Sequence, residues 1–161
     1  MDMKNNVALM PDEENNVPVE TGQYIVVRLG DEQYGIDIRN IDNIIKMQPI
    51  TRIPKMPPYL KGVISMRGEV VPVISMRLKF GLPADEISKD TRIVVLKLEQ
   101  EGKVGFIVDE VKEVVTLFSN EVEKITYDSK EEKADMINAV GKHNGELISL
   151  LDLNAISFEG N

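Results

Sequence analysis

The chain has 161 residues, 19 basic and 27 acidic side chains, a net charge of −8, 5% aromatics, no Trp and no Cys. That length suits one domain or two small ones, with a core of Ile, Val, Leu and Met, and the lack of Cys excludes disulfides and thiolate metal sites. Residues 1–20 lack the basic start and apolar run of a secretory leader, and no apolar stretch nears the ~20 residues of a membrane-spanning helix, so a cytoplasmic protein is expected.

Residues 1–20 are polar, with Pro11, Pro18 and four Asn, and predict a disordered tail. Residues 23–29 (QYIVVRL) predict a strand, residues 30–33 a turn, and Tyr34–Ile38 the returning strand, with Tyr34, Ile36 and Ile38 alternating at period two. From Ile41 the period changes: Ile41, Ile44 and Ile45 stand at i, i+3 and i+4, which predicts a short helical turn packed on the sheet. Residues 49–58 (PITRIPKMPP) hold four prolines and predict a stiff extended connector, neither helix nor central strand. Residues 60–66 resume as a strand, Arg67-Gly68-Glu69 turn, and Val70–Ile74 return. Pro72 inside that run predicts an edge position or a bulge.

Met76–Phe80 predicts a short helix stopped by Gly81 and Pro83. Residues 84–91 read as a polar link. Residues 92–98 and 103–108 repeat the hairpin, and Val111–Val115 with Leu117 and Phe118 continue the apolar pattern. Ser129 with Glu132 suggests a capping box for a short helix over residues 130–138. Asn144-Gly145 is a hairpin-turn dipeptide, because both residues accept positive φ, and Leu147–Leu151 is the last strong strand, with Ile156 and Phe158 as a closing turn.

Two blocks recur in the same order. Residues 34–45 return as 104–115, with Gly35 on Gly105, and residues 68–76 return as 145–153, with Gly68 on Gly145. A repeated block order predicts two similar units in one chain. Short strands at hairpin spacing with few helices predict an all-β fold of two small barrels, divided at roughly 21–84 and 90–158 with strand exchange possible.

Catalytic chemistry is missing. His143 is the lone histidine and reads as a solvated turn residue. With no Cys and no Ser–His motif there is no nucleophile, and no glycine-rich phosphate loop is present. Asp109-Glu110 and Glu131-Glu132 are sequence neighbours and do not share a face. Binding is therefore the expected mode of action, with no enzyme activity, cofactor or metal. Residues 39–80 carry 8 basic against 2 acidic side chains in an otherwise acidic chain, a pattern that attracts acidic partners. Two aromatics in that stretch, Tyr59 and Phe80, and the overall negative charge argue against nucleic acid. Met47, Met56, Met66 and Met76 surround the proline segment, as core filler or as adaptable partner contacts. Arg67 is presented at a tight turn between two apolar strands.

The segments YGIDI (34–38), ITRIP (50–54), LKGVISMRGEVVPVISMR (60–77) and VDEV (108–111) resemble the CheW family of chemotaxis coupling proteins. The resemblance covers about residues 21–156. The same module forms the regulatory domain of the histidine kinase CheA and the N-terminal half of CheV, and the length here favours the stand-alone coupler. The resemblance implies two intertwined five-stranded SH3-like β-barrels. It also implies an adaptor that joins methyl-accepting chemoreceptors, at their helical hairpin tips, to CheA, recruited to receptor arrays without inserting in the membrane. A CheW-like regulatory or scaffold module of another two-component system is the alternative. By motif position Ile41, Gly62 and Arg67 match receptor-side residues, and Asn43, Ile50 and Thr51 the kinase-side neighbourhood. Asn43 stands where an acid is usual, and Ser75-Met76-Arg77 stands where Asp-Leu-Arg is usual.

Overall fold

A computed structural model describes residues 17–99, 102–125 and 136–153. Eleven strands are present among them: β1 (Glu20–Leu29), β2 (Glu32–Asp37), β3 (Ile41–Lys46), β4 (Leu60–Met66), β5 (Glu69–Ser75), β6 (Arg92–Leu98), β7 (Gly102–Val108), β8 (Glu110–Phe118), β9 (Val122–Lys124), β10 (Ile137–His143) and β11 (Glu146–Leu151). One short helix, α1 (Met76–Lys79), follows β5.

The strands form two sheets that do not coincide with the two halves of the chain. The first runs β8-β1-β2-β11-β10-β9 and the second β3-β6-β7-β5-β4. Each sheet starts from a hairpin of one half and takes its flanking strands from the other, so the halves are intertwined. The repeat read from the sequence is visible in the register. Gly35 on β2 pairs with Leu150 on β11, and Gly105 on β7 pairs with Val73 on β5, both across parallel joins. A Cβ on Gly35 would meet Leu150 Cδ2 at 2.8 Å, and one on Gly105 would meet Ile93 Cγ2 at 2.7 Å. The repeated glycines thus allow close side-chain approach at matching places in the two units. The first sheet carries a sixth strand, β9, because a 3-10 turn at Ser119–Glu121 redirects the chain and lets Val122–Lys124 pair with β10.

Three apolar cores result. Val26, Val115, Leu117, Ile148 and Leu150 fill the first barrel, and Ile64, Val71, Val73, Ile93, Val95 and Ile107 the second. The largest core lies between the sheets, with Ile25, Val27, Tyr34 and Ile36 from one and Val94, Leu96, Val104 and Phe106 from the other. Strands β1 and β6 bury both faces, which is why they read as unbroken apolar runs rather than alternating ones.

Several expectations need correction. Ile41–Ile45 is not helical. It is strand β3, preceded by a 3-10 turn at Ile38–Asn40. Its register against β6 slips between Ile41 and Asn43, so Asp42 is an extra residue. That bulge brings Ile41 and Ile44 to the same, inter-sheet core while Ile45 faces the second barrel, and a bulged strand thereby mimics a helical i, i+3, i+4 spacing. Pro72 is on an interior strand, not an edge, and pairs with Val63 one position from the β4–β5 bulge between Leu60 and Gly62. Its carbonyl oxygen faces β7, 3.6 Å from a Cβ on Gly105. The missing N–H points the same way, and pairing with β7 begins only one residue later, at Val73. Two residues of the expected tail are held by the fold, since Val19 exchanges hydrogen bonds with Ser119 and Glu20 pairs with Phe118, and residues 1–16 of it fall outside the described residues. Met136 is a buried turn residue and 137 and 138 belong to strand β10, so the helix expected over 130–138 does not reach 136–138, and its residues 130–135, like the closing turn at Ile156 and Phe158, fall outside the described residues. His143 is half-buried as the last residue of β10, with Nδ1 buried and without a hydrogen-bond partner.

Candidate functional site

The connector after β3 is tied down at both ends. Thr51 and Val63 exchange two backbone hydrogen bonds of 2.8 Å, which carries the second sheet past its β4 edge. At the other end the Ser75 N–H donates to the Tyr59 carbonyl at 2.8 Å, and the Lys79 ammonium sits 4.1 Å over the Tyr59 ring. Between these anchors lies a shallow cleft of about 260 Å³, lined by Arg52, Ile53, Lys55, Met56, Pro57 and Pro58 with Leu60 and Lys61. Ile53 and Met56 are exposed, at 37% and 42%. The connector is therefore a stiff apolar strip set among cations. Of the four methionines around it, Met66 and Met76 are buried and Met47 packs on the second-barrel core, so only Met56 is available as a surface contact.

The six residues singled out by resemblance fall into two groups, divided differently from their assigned partners. Gly62 on β4 lies against the connector. Its φ is +144°, and a Cβ there would stand 2.1 Å from the Thr51 carbonyl oxygen and 2.8 Å from Ile50 Cγ2. Gly62 thus touches the kinase-side pair Ile50 and Thr51. Ile50 is half-buried on the second-barrel core, while Thr51 is exposed. Asn43 is half-buried on β3 opposite Val95, and its side-chain carbonyl accepts from the Ile44 N–H at 2.9 Å.

Arg67 is at the tip of the β4–β5 hairpin. It has φ +53° and Gly68 has φ +81°, the pattern of a type I′ turn. The equivalent turn in the other half is Asn144-Gly145, at +53° and +79°. Asparagine tolerates that backbone, whereas an arginine held there stores strain, which favours a reason for Arg67 beyond the turn itself. Ile41 starts β3 toward the same end of the second sheet. Lys103 on β7 links the two places: its ammonium is 2.8 Å from Glu69 Oε1, beside the Arg67 turn, and 3.8 Å from Asp42 Oδ2, in the β3 bulge.

Two further clusters were not read from the sequence. The Arg77 guanidinium meets the Asp109 carboxylate in a bidentate pair, Nε to Oδ1 at 2.8 Å and Nη2 to Oδ2 at 2.6 Å. The Gly30 N–H donates to the same carboxylate at 2.8 Å, and Arg28 binds Glu110 at 2.9 Å. This clamp ties the β1–β2 turn, α1 and the β7–β8 link, so it joins the two sheets. Arg77 holds the Asp109 carboxyl below its ordinary range, with help from the Gly30 N–H and against partial burial. The neighbours Asp109 and Glu110 do share Arg28, as a structural ion cluster rather than an acid–base pair. Ser75, at the position where the resemblance leads one to expect an acid, is fully buried. Its Oγ accepts from the Leu78 N–H at 3.1 Å as the N-cap of α1, and its hydroxyl donates to Asp85. A carboxylate would keep the cap but not that second bond.

A family model described as the CheW-like domain matches residues 23–159. The chemotaxis protein CheW of Helicobacter pylori is 35% identical over 137 residues, 85% of this chain and 82% of that protein. CheW of Bacillus subtilis is 33% identical over 139 residues, 86% and 88% of the two chains. The crystal structure of the scaffolding protein TtCheW from Thermoanaerobacter tengcongensis superposes with a TM-score of 0.76 at 29% identity, covering 87% of this chain and 99% of that one. Two strand-exchanged SH3-like barrels, the repeated turns and these likenesses together establish that the chain belongs to the CheW-like domain family.

Proposed function

We propose that this chain is a chemotaxis adaptor that couples methyl-accepting chemoreceptors to the histidine kinase CheA by binding both, without catalysis. The observation that carries this reading is the CheW-like match across residues 23–159. The working unit is residues 21–158. It acts in the cytoplasm and is recruited to membrane-associated receptor arrays. Among the described residues no helix is long and apolar enough to cross a membrane.

The kinase regulatory domain docks on the connector side, at Ile50 and Thr51 with the exposed Ile53 and Met56, and reaches Asn43 on β3. A pre-stiffened apolar strip loses little freedom on binding. The receptor tip docks at the end marked by Ile41 and Arg67. The guanidinium there offers five donors in a fixed fork to helix-surface carboxylates or carbonyls. Gly62 shapes the connector from below, so its influence on receptor binding is transmitted through Thr51 and Ile50.

The test is capture of two purified partners by the purified chain: the regulatory domain of CheA, and a receptor cytoplasmic fragment. Binding of each is expected. A folded chain that captures neither refutes the adaptor reading, and capture of only another kinase's regulatory module would assign it to a different two-component system.

A further inference from the structure

Arg67 is an exposed cation two residues from Glu69 across a tight turn, yet among the described residues it has no ion pair. Glu69 instead gives its carboxylate to Lys103, 2.8 Å away. The next acid, Asp42, has a side chain only 10% exposed and lies 3.5 Å from Lys97 and 3.8 Å from Lys103. Its Oδ2 is buried and accepts no hydrogen bond, so the two ammonium groups are its charge compensation. Among the described residues, Lys103 thus holds Glu69 beside the turn and reaches Asp42 in the β3 bulge.

We infer that Lys103 is a positioning residue for Arg67: by occupying Glu69 and Asp42 it keeps the Arg67 guanidinium free of internal partners and available to an acidic group on the docked protein. The reasoning is competitive. An arginine within reach of a free carboxylate forms a charge-assisted pair with it. A receptor carboxylate would then have to displace that pair before binding. With Lys103 in place, Glu69 is already neutralised. The ammonium also adds repulsion that directs Arg67 outward. Consistent with this, Glu69 first, and Asp42 beyond it, hold the Lys103 ammonium above its ordinary range, while Arg67 opposes them. The strained φ of Arg67 fits the same purpose, since it fixes where the side chain leaves the turn.

This inference rests on Arg67 being the receptor-side anchor, so the experiment measures the two separately. Asp42→Asn serves as the background, to avoid a buried uncompensated charge once Lys103 is changed. Binding of a purified receptor cytoplasmic fragment is measured for Asp42→Asn alone and with Arg67→Ala, Lys103→Gln, or Lys103→Gln plus Glu69→Gln. The Arg67 Nε–H signal is followed by NMR in each folded variant. Arg67→Ala should lose binding. Lys103→Gln should weaken it about tenfold, the loss of one charge-assisted contact, and slow the exchange of the Arg67 Nε–H as it pairs with Glu69. Adding Glu69→Gln should restore both affinity and fast exchange, which a merely structural role of Lys103 would not do. If Arg67→Ala binds normally, the receptor-side assignment fails. If Arg67→Ala loses binding but Lys103→Gln binds fully, or is not rescued by Glu69→Gln, the positioning role is overturned.

Discussion

Replacing Gly62 by alanine tests how the connector is held. Two costs add at this position. A φ of +144° is in a region nearly restricted to glycine, and forcing another residue into such a conformation costs about 1–3 kcal/mol. The new Cβ would also lie 2.1 Å from the Thr51 carbonyl oxygen. That atom belongs to a backbone held by two hydrogen bonds to Val63. The oxygen cannot yield without parting them, at about 1 kcal/mol net each. The sum is about 3–5 kcal/mol, a large share of the ~5–15 kcal/mol that stabilises a typical domain. Gly68→Ala is the control. Its φ is +81°, with open space around a Cβ, so only the backbone cost of about 1–2 kcal/mol applies. Urea titration gives the stabilities, and hydrogen exchange of the Thr51 and Val63 amides reports the bridge. Gly62→Ala should lose stability, lose protection at both amides, and bind both CheA and receptor less well. A variant within ~1 kcal/mol of wild type, with both amides still protected, would refute the reasoning.

Asp109→Asn breaks the Arg77 clamp and should cost about 2 kcal/mol at pH 7, less than the ~3–5 kcal/mol of a fully buried pair, read from urea curves. The folded pKa of Asp109 lies below its ordinary 3.8, so its stabilisation is present above that pH and lost as pH falls through the folded value. The gap between wild type and variant should therefore close on acidification, and a gap constant down to pH 2 would count against the clamp. Ser75→Asp sets a carboxylate beside Asp85 and should destabilise by about 2 kcal/mol; a melt unchanged at pH 7 would show that Asp85 does not depend on the serine hydroxyl. Ile53→Asp should leave stability within ~0.5 kcal/mol while raising the Kd for the CheA regulatory domain about tenfold or more, as for a contact worth over ~1.4 kcal/mol, by titration calorimetry; unchanged affinity would move the kinase surface off the connector.

Hairpins and turns were legible because their signals are local. Tyr34 to Ile38 alternates, Asn144-Gly145 specifies its turn, and Gly81 stops α1. The repeat exposed the two-unit design, since its glycines stand at equivalent close contacts. The Ile41–Ile45 segment misled because one inserted residue, Asp42, turns a period of two into an apparent three and four. Pro72 misled because its consequence depends on where the parallel partner begins, which no local pattern encodes. The ion clusters were out of reach for the same reason. Arg77 and Asp109 are 32 positions apart, and Asp42, Glu69 and Lys103 come from three strands whose adjacency is created by the strand exchange. Ser75 looked like a departure from its family, and only the position of Asp85 explains it.

The most direct test of the adaptor account is co-sedimentation of CheA with receptor-bearing membranes, without the chain, with wild type, and with Arg67→Ala. The chain should carry CheA into the pellet. Arg67→Ala should leave CheA in the supernatant while still binding it in solution, with a melting temperature near wild type, because the exposed turn contributes little to folding. An Arg67→Ala chain that sediments CheA as well as wild type, or that loses kinase binding and stability together, would contradict the account.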